Sequence, residues 1–156
     1  MERTLVLLKP DAYARGMLGA LTTTFEQKGL ILVACKLTVL SDELLDEHYQ
    51  HLSHQPFFPR ILRFMKSLPV LAQCWEGRDA VAVVRALAGP TDGRDAAAGT
   101  LRGDRSLSVQ CNLIHASDTA ETADKEVRRF FNDFEIFDVQ HPLTPWLYAE
   151  GEVIEA

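Results

Sequence analysis

Short apolar runs alternate with apolar residues at helical spacing over the first ninety positions, and this alternation limits the fold more than any other feature. Residues 4–8, 31–39 and 69–75 have the length and composition of buried strands. Between the first two runs, residues 18–25 have helical spacing, and residues 79–88 predict a further helix before a glycine. Taken alone, this order favours a parallel sheet in an α/β protein.

The segment between the second and third strands has the pattern of a helical hairpin. A helix opens at Ser41 and Asp42, and Pro56-Phe57-Phe58-Pro59 interrupts the pattern before it resumes at residues 61–65. One of the two phenylalanines is expected to pack in the core. The other can present a flat face at a cleft rim, where any base can stack.

Residues 89–110 have little periodicity and many turn formers. A loop of this length inside a compact domain is usually functional. It leads into a strand end at residues 112–118 and then into a fourth long helix, with its apolar face between residues 123 and 131.

The last residues, about 132–156, predict an irregular tail with Trp146 and Tyr148 as anchors and an acidic end that frays. With 156 residues and 47% hydrophobic content, the chain is large enough to bury a core without disulfides or structural metal. Residues 1–156 are therefore expected to form a single domain.

Charge and cysteine content narrow the class of protein. A net charge of -6 argues against a surface that neutralises a nucleic-acid backbone. Cys35, Cys74 and Cys111 are an odd number without a Cys-x-x-Cys pair, which favours a reducing, intracellular setting over a disulfide framework or zinc site. No leader pattern and no apolar run of ~20 residues is present, so a soluble cytoplasmic protein without membrane partners is expected.

His115 lies at the predicted strand end, between an apolar pair and a small hydroxyl-rich turn. Asp118 followed by Glu121 predicts a helix start of the capping-box kind, so His115 would lie near a helix N-terminus that favours anions. A histidine there can meet a phosphate. A lone histidine on an apolar segment is more often a buried core residue, and these residues alone leave both interpretations open.

Three polar residues fall at the edges of predicted apolar helix faces: Tyr49, Arg85 and Glu126. At 100° per residue, each lies about 40° outside its apolar arc. Side chains at such positions can point past the edge of the core into a shared cleft, or they can simply be exposed to solvent. A carboxylate near a histidine could fix the imidazole's tautomer.

The chain has neither a P-loop nor a Gly-x-Gly-x-x-Gly fingerprint after the first strand. Phosphates would have to be bound by side chains, for which Lys9, Arg85, Thr91 and Arg102 are candidates. Their alternative roles are surface cation, helix-face ion pair and hydrogen bonds within the loop.

His48, His51 and His54 are spaced by three, as in some metal clusters. No acidic or cysteine ligands of matching spacing accompany them, so metal binding by these three is not favoured.

Together these segments resemble the nucleoside diphosphate kinases from residue 3 to about residue 131, with a weaker similarity at residues 146–148. The motifs that carry the resemblance are Glu-Arg-Thr-x-x-x-x-Lys-Pro-Asp at 2–11, His-Tyr at 48–49, Pro-Phe-Phe-Pro at 56–59, Gly-x-Thr at 89–91, Gly-Thr-x-Arg-Gly-Asp at 99–104 and Asn-x-x-His-x-Ser-Asp at 112–118. The resemblance implies an α+β, ferredoxin-like βαββαβ core with a four-stranded antiparallel sheet, a helical hairpin and a long nucleotide-binding loop.

The resemblance also implies an enzyme that moves the γ-phosphoryl of a nucleoside triphosphate to a nucleoside diphosphate through a phosphohistidine, by a ping-pong mechanism. The catalytic residues it implies are His115, Glu126, Ser117, Lys9 and Tyr49. The nucleotide-binding residues it implies are Lys9, Phe57, Ile61, Arg85, Thr91, Arg102, Val109 and Asn112.

Within that set, Glu126 and Ser117 would orient His115. Lys9 and Asn112 would bind the ribose hydroxyls, with Lys9 also near the transferred phosphoryl beside Tyr49. Three side chains would hold the distal phosphates with a bridging Mg²⁺ bound mainly by the nucleotide: Arg85, Thr91 and Arg102. An apolar slot would receive the base with little selectivity, formed by Phe57, Ile61 and Val109. Members of this family form homo-oligomers, which the resemblance implies here too.

Some residues depart from the family pattern. Gln110 and Ala116 stand where the family usually has glycine, and Gly93 and Ala98 stand where many relatives have proline. If position 116 needs a positive φ, alanine there costs on the order of 1 kcal/mol. Strain is therefore expected at Ala116, and Gln110 could alter loop rigidity or subunit contacts.

Two other classes of function are less consistent with the sequence. A catalytically weak member of the fold could act as a nucleotide-responsive scaffold, but His115, Glu126, Lys9 and the two phosphate-binding arginines are all present. A nucleic-acid-binding ferredoxin-like domain would need a basic sheet face with exposed aromatic residues, which the acidic balance disfavours.

Overall fold

The structure is a computed structural model that describes residues 1–139 and 144–152. Four strands form one antiparallel sheet in the order β2-β3-β1-β4. The strands are β1 (Glu2–Leu8), β2 (Ile31–Thr38), β3 (Val70–Gly77) and β4 (Ile114–Ala116). Because β3 pairs antiparallel with both β1 and β2, those two strands run in the same direction but are not neighbours. The prediction of a parallel sheet, made from the alternation alone, is wrong. The prediction of an antiparallel sheet, implied by the resemblance, is confirmed.

The helices, with two 3₁₀ turns, connect and cover the strands. They are α1 (Pro10–Ala14), α2 (Leu18–Gln27), α3 (Asp42–His48), a 3₁₀ turn (Gln50–Leu52), α4 (Phe58–Met65), α5 (Ala80–Ala88), α6 (Leu101–Arg105), α7 (Ala120–Phe130), a 3₁₀ turn (Asp133–Glu135) and α8 (Thr144–Leu147). With α2 and α5 as the crossing helices, the order is βαββαβ, and α3 with α4 is the predicted hairpin.

The sheet has a hydrophobic core on each face, which explains why β1 is a continuous apolar run. Leu5 and Leu7 enter the core formed with α3, α4 and α7, while Val6 and Leu8 enter the core formed with α2 and α5. A strand covered on both faces has no position that faces water, so it reads as uniformly apolar. The helices α3 and α7 therefore lie on the same face of the sheet, with His115 of β4 near both.

Helix α7 begins one residue later than the sequence predicted. Thr119 Oγ1 accepts a hydrogen bond from Thr122 N at 3.1 Å, so Thr119 is the N-cap. Asp118, which was predicted to cap the helix with Glu121, lies outside it and binds the guanidinium of Arg85. The capping-box prediction is wrong because the adjacent threonine takes the N-cap position.

Residues 89–110 are less irregular than their sequence indicates, because α6 lies within them. A Cβ on Gly103 would lie 2.0 Å from Ala97 O, and one on Gly93 would lie 2.4 Å from Ser106 O. The loop thus folds closely on itself. At Gly93, one of the departures from the family pattern, no side chain fits without a backbone shift.

The described part of the tail is attached at two points. Phe137 N donates a hydrogen bond to Val33 O on β2 at 2.9 Å, and Tyr148 Oη accepts one from Arg78 N at 3.2 Å. The Tyr148 anchor is confirmed. The Trp146 anchor is wrong, since this residue is 86% exposed.

In the described ranges no helix has the length and apolar character needed to cross a membrane. The predicted fraying of the acidic end falls largely on residues 153–156, outside those ranges.

Candidate active site

A cleft of about 730 Å³ opens between the α3–α4 hairpin, the loop of residues 89–110 and β4. It contains every predicted site residue except Ser117. These are Lys9, Tyr49, Phe57, Ile61, Arg85, Thr91, Arg102, Val109, Asn112, His115 and Glu126. Ser117 is fully buried and lies behind the cleft wall. Residues from four helices, one strand and the long loop thus converge, although the sequence separates them by more than a hundred positions.

His115 is held by a buried carboxylate. Its Nε2 lies 3.1 Å from both carboxylate oxygens of Glu126, and Ser117 Oγ donates to Glu126 Oε2 at 2.6 Å. Leu5 N in turn donates to Ser117 Oγ at 3.3 Å, which ties the arrangement to β1. Because an ionised carboxylate only accepts hydrogen bonds, Nε2 carries the ring proton in the neutral imidazole. The other nitrogen, Nδ1, then has a free lone pair.

The Glu126 carboxyl is buried and remains ionised. Burial favours its protonated form, but the hydrogen bond and charge of His115, together with the hydrogen bond from Ser117, outweigh that effect and lower the pKa to about 2. Glu126 is 5% exposed. It was predicted as a helix-edge residue, and its actual burial strengthens its hold on the imidazole because water does not compete.

A second histidine, His48, lies against the first and was not predicted as a site residue. The two rings meet edge to face with centroids 4.6 Å apart, and His48 Nδ1 lies 3.7 Å from Glu126 Oε1. Burial, then the charges of His115 and Arg129, lower the pKa of His48 to about 3, so it stays neutral. Its place on the apolar face of α3, as the histidine of the His-Tyr motif, was the available signal.

The loop is tied to β1 through Lys9 and Asn112. Lys9 Nζ donates to Asn112 Oδ1 at 2.6 Å, and Asn112 Nδ2 donates to Thr91 O at 2.8 Å and Val109 O at 3.0 Å. Burial, then the charge of Arg102, lowers the pKa of Lys9 to about 8. Lys9 is therefore still largely cationic at neutral pH and lies where the loop and β1 meet.

Arg102 is a buried cation fixed by backbone carbonyls. Its guanidinium donates to Ile114 O at 2.6 Å, Gly89 O at 2.7 Å and Asn112 O at 3.3 Å. A guanidinium has five N–H donors, so two remain for a ligand. Burial, then the charge of Arg85, lowers the pKa of Arg102 to about 10, which leaves it charged.

The other predicted phosphate-binding residues are accessible. Arg85 is exposed at the cleft rim, where it pairs with Asp118, and Thr91 is exposed in the loop. Tyr49 is buried instead, and burial together with the charge of Glu126 raises its pKa. Its hydroxyl therefore stays protonated and can donate a hydrogen bond.

The two phenylalanines of the hairpin take different roles, as predicted. Phe58 packs against the core under α3 and α7, whereas Phe57 is 38% exposed and lines the cleft. Val109 is 52% exposed on the loop, and Ile61 is half-buried beside the hairpin. These three apolar side chains offer a surface for a flat ring.

Backbone strain lies at Leu113 and not at Ala116. Leu113 has a φ of 71°, a left-handed value that is rare for a bulky residue, and Ala116 is an ordinary strand residue. Leu113 is held there by bonds on both sides, with its N donating to Asp11 Oδ2 at 3.0 Å and its carbonyl accepting from Lys9 N at 2.9 Å. The prediction of strain at Ala116 is wrong because position 116 needs no positive φ.

Within residues 1–139 and 144–152, one group has metal-ligand geometry, namely His48, His115 and Glu126. His51 and His54 are exposed and do not join it. A Mg²⁺ ion prefers oxygen ligands. The rim carboxylate Asp118 is already paired with Arg85. The cations of the cleft are instead suited to bind the phosphate groups of a nucleotide. The oxygens of those phosphate groups are the ligands that could bind Mg²⁺.

Comparison with known proteins gives one consistent result. The family model described as nucleoside diphosphate kinase matches residues 2–136. A nucleoside diphosphate kinase from Parabacteroides distasonis is 55% identical over 97% of this chain and 99% of its own length. One from Synechocystis sp. is 44% identical over 95% of this chain and 99% of its own length.

Solved structures agree with the sequence relatives. The halophilic nucleoside diphosphate kinase from Halobacterium salinarum, solved in complex with CDP, superposes with a TM-score of 0.92 at 42% identity, over 94% of this chain and 98% of that one. The nucleoside diphosphate kinase from Encephalitozoon cuniculi, in its apo cubic form, also gives 0.92 at 41% identity, over 95% of this chain and 100% of that one.

Proposed function

This chain belongs to the nucleoside diphosphate kinase family, and on that premise we propose that His115 accepts the γ-phosphoryl of a nucleoside triphosphate on Nδ1 and passes it to a nucleoside diphosphate. The chain is a nucleotide phosphotransferase that maintains nucleoside triphosphate pools. The observation that carries the proposal for His115 is its hydrogen bond to Glu126, because a proton fixed on Nε2 leaves Nδ1 as the nucleophile.

The chemistry takes two displacements at one site. The Nδ1 lone pair forms a bond to the γ-phosphorus while the bond from that phosphorus to the bridging oxygen breaks, and the diphosphate leaves with the electron pair. An oxygen of the second nucleoside diphosphate then attacks the same phosphorus and the P–N bond breaks. In the first step the ring becomes positively charged, and the ionised Glu126 stabilises that charge at Nε2.

Ser117 acts on His115 through Glu126, since its hydroxyl hydrogen bond holds the carboxylate in place. The proposed role of Lys9 is to bind ribose hydroxyls together with Asn112 and to stabilise the transferred phosphoryl beside Tyr49. A cation close to the phosphoryl oxygens lowers the energy of the loose transition state.

Three side chains are proposed to bind the distal phosphates: Arg85, Thr91 and Arg102. Arg102 is preorganised by its carbonyl contacts, whereas Arg85 must exchange Asp118 for the ligand. Mg²⁺ would be held mainly by the nucleotide's phosphate oxygens, and when bound it neutralises part of their charge. The relative from Halobacterium salinarum was solved with CDP, which supports a nucleotide in the same cleft here.

The proposed base site discriminates little between bases. Phe57 offers a ring face, while Ile61 and Val109 offer apolar contacts, and none of these groups reads a hydrogen-bonding edge. Homo-oligomer formation and a cytoplasmic location remain predictions.

The proposed mechanism is tested by incubating the protein with γ-labelled ATP, isolating the protein, and chasing with GDP. We expect acid-labile label on the wild type that moves to GDP, and no label on His115→Ala. Label that persists in His115→Ala would contradict the role of His115. Nucleotide binding without any label would instead favour the scaffolding alternative.

A further inference from the structure

The cluster of His48, His115 and Glu126 has properties that phosphoryl transfer leaves unused. One nitrogen or oxygen from each residue lies within 4.8 Å of the other two. His48 and Glu126 are 4% and 5% exposed, and His115 is half-buried and lines the cleft. The proposed mechanism uses the Glu126–His115 contact, but it gives no task to His48.

The hydrogen-bonding groups around His48 do not satisfy it in either tautomer. With the proton on Nε2, that N–H is buried and has no hydrogen-bond partner among the described residues. With the proton on Nδ1, it faces the Arg129 NH1 donor 3.5 Å away, and the nearest Glu126 oxygen, at 3.7 Å, is beyond hydrogen-bond reach. In the Nε2–H tautomer the lone pair of His48 Nδ1 lies 3.7 Å from Glu126 Oε1, so two acceptors stand side by side and a cation can bridge them.

We propose that this cluster is a binding site for a transition-metal ion of the Zn²⁺ class, with His48 Nδ1, His115 Nε2 and a Glu126 oxygen as ligands. Two imidazoles and a carboxylate are a ligand set that zinc uses with a fourth position open. In a tetrahedral site, bonds of about 2.0–2.1 Å place neighbouring ligand atoms roughly 3.3 Å apart. The contacts of Glu126 with His115 Nε2 at 3.1 Å and with His48 Nδ1 at 3.7 Å lie on either side of that value. Two of the three contacts are therefore already near tetrahedral spacing, and ligand atoms from all three residues lie within 4.8 Å of one another.

The bound ion inactivates the nucleophile by changing its tautomer. The metal takes the Nε2 lone pair, so the proton on Nε2 must leave that atom. In the neutral ring it moves through solvent to Nδ1, with no net change in charge or proton count. Nδ1–H has no lone pair to offer a phosphorus atom. This consequence rests on the proposed function, whereas metal binding itself does not.

The site selects against Mg²⁺ and is weakened by a nearby cation. Mg²⁺ requires oxygen ligands in an octahedron, and only Glu126 supplies oxygen here. The guanidinium of Arg129, which also binds Glu47 at 2.8 Å, lies beside His48 and repels a metal ion. Replacing Arg129 should therefore tighten metal binding. If Arg129 had only a structural role, its replacement would not tighten metal binding.

Calorimetric titration with Zn²⁺ alone, without nucleotide, tests binding. We expect His48→Gln, which removes a ligand, to raise the dissociation constant by at least the roughly 10- to 100-fold that loss of an outer-shell partner costs, and Arg129→Gln to lower it. The control is His54→Gln, since His54 is an exposed histidine away from the cluster and its loss should change neither binding nor activity. Equal affinity in the wild type and His48→Gln would overturn the proposal.

The tautomer change can be followed in the wild type, so a variant that misfolds does not prevent the test. Long-range proton–nitrogen NMR correlations distinguish Nε2–H from Nδ1–H rings. We expect Zn²⁺ to move the His115 proton from Nε2 to Nδ1 and to perturb His48, together with loss of labelling by γ-labelled ATP in excess Mg²⁺. Perturbation confined to His51 and His54 would overturn the proposal. Zn²⁺ binding to a protein that never takes up label would contradict the proposed function but not the metal site.

Discussion

At the scale of single residues, the site depends on contrasts between buried groups. Glu126 is buried and charged, His48 is buried and neutral, and His115 contacts both, with Nε2 bound to Glu126. Burial disfavours the charged form of both groups, but Glu126 has hydrogen-bond donors that outweigh burial, whereas the charges of His115 and Arg129 add to its effect on His48.

The buried His48 should make the protein sensitive to acid. Its pKa falls from 6.5 to about 3 on folding, so between those values the unfolded chain binds the proton and the folded one does not. Stability is therefore unaffected by His48 above pH 6.5 and falls as the pH drops below it, with a limiting slope of roughly 1.4 kcal/mol per pH unit. Urea denaturation at a series of pH values measures the slope.

The matched variant is His48→Phe, which keeps an aromatic ring but cannot take a proton. We expect its stability to fall less steeply than that of the wild type between pH 6 and about 4, because the His48 contribution to the slope is removed. Identical slopes in the two proteins would show that His48 is not the group responsible.

At the scale of elements, the loop of residues 89–110 is the part most dependent on particular side chains. Arg102 donates to the carbonyls of Gly89, Asn112 and Ile114, and the Asn112 side chain donates to two more. A loop with few apolar contacts gains its order from such bonds. The same guanidinium that builds the loop is the one proposed to bind phosphate.

Arg102→Gln should therefore affect both stability and activity, whereas Arg85→Gln should affect activity alone. Loss of the buried guanidinium leaves several carbonyls unsatisfied and should cost about 2–3 kcal/mol. Arg85 is exposed and its ion pair with Asp118 contributes little, so its loss should change stability by less than about 0.5 kcal/mol while raising KM. Urea denaturation and steady-state kinetics of both variants separate the two effects. Equal destabilisation by the two changes would be contrary to the account.

The helices and strands themselves could be predicted from local sequence patterns, but their arrangement in the fold could not. Leu5 to Leu8 identify β1 as buried on both faces, and Gly29 and Gly89 mark helix ends. The insertion of β3 between β1 and β2 depends on pairing between distant segments, which periodicity does not encode; the family resemblance supplied it. Leu113 shows the same limit, because its positive φ results from bonds to Asp11 and Lys9, over a hundred residues away.

At the scale of the whole molecule, apolar side chains remain uncovered near the β2 edge. Leu37, Val39, Phe134 and Phe137 are between 53% and 81% exposed. Glu135 binds Lys36 and Phe137 N binds Val33 O, so the two segments that carry these side chains are adjacent. A cluster of exposed large apolar residues is typical of a protein interface.

The predicted homo-oligomer should therefore use this surface. We expect the wild type to exceed the monomer mass in sedimentation velocity, and Phe134→Asp to shift it toward monomer. Leu107→Asp is the control, because Leu107 is as exposed but lies in the loop of residues 89–110. Dissociation by Leu107→Asp and not by Phe134→Asp would move the interface to the loop.

The central claim is that Glu126 fixes the proton on Nε2 of His115 and so selects Nδ1 as the phosphoryl acceptor. The most direct measurement is phosphorus NMR of the phosphorylated enzyme, which distinguishes the two phosphohistidine isomers, combined with peptide mapping of the modified residue. We expect the Nδ1 isomer on His115. The Nε2 isomer, or phosphate on another residue, would contradict it.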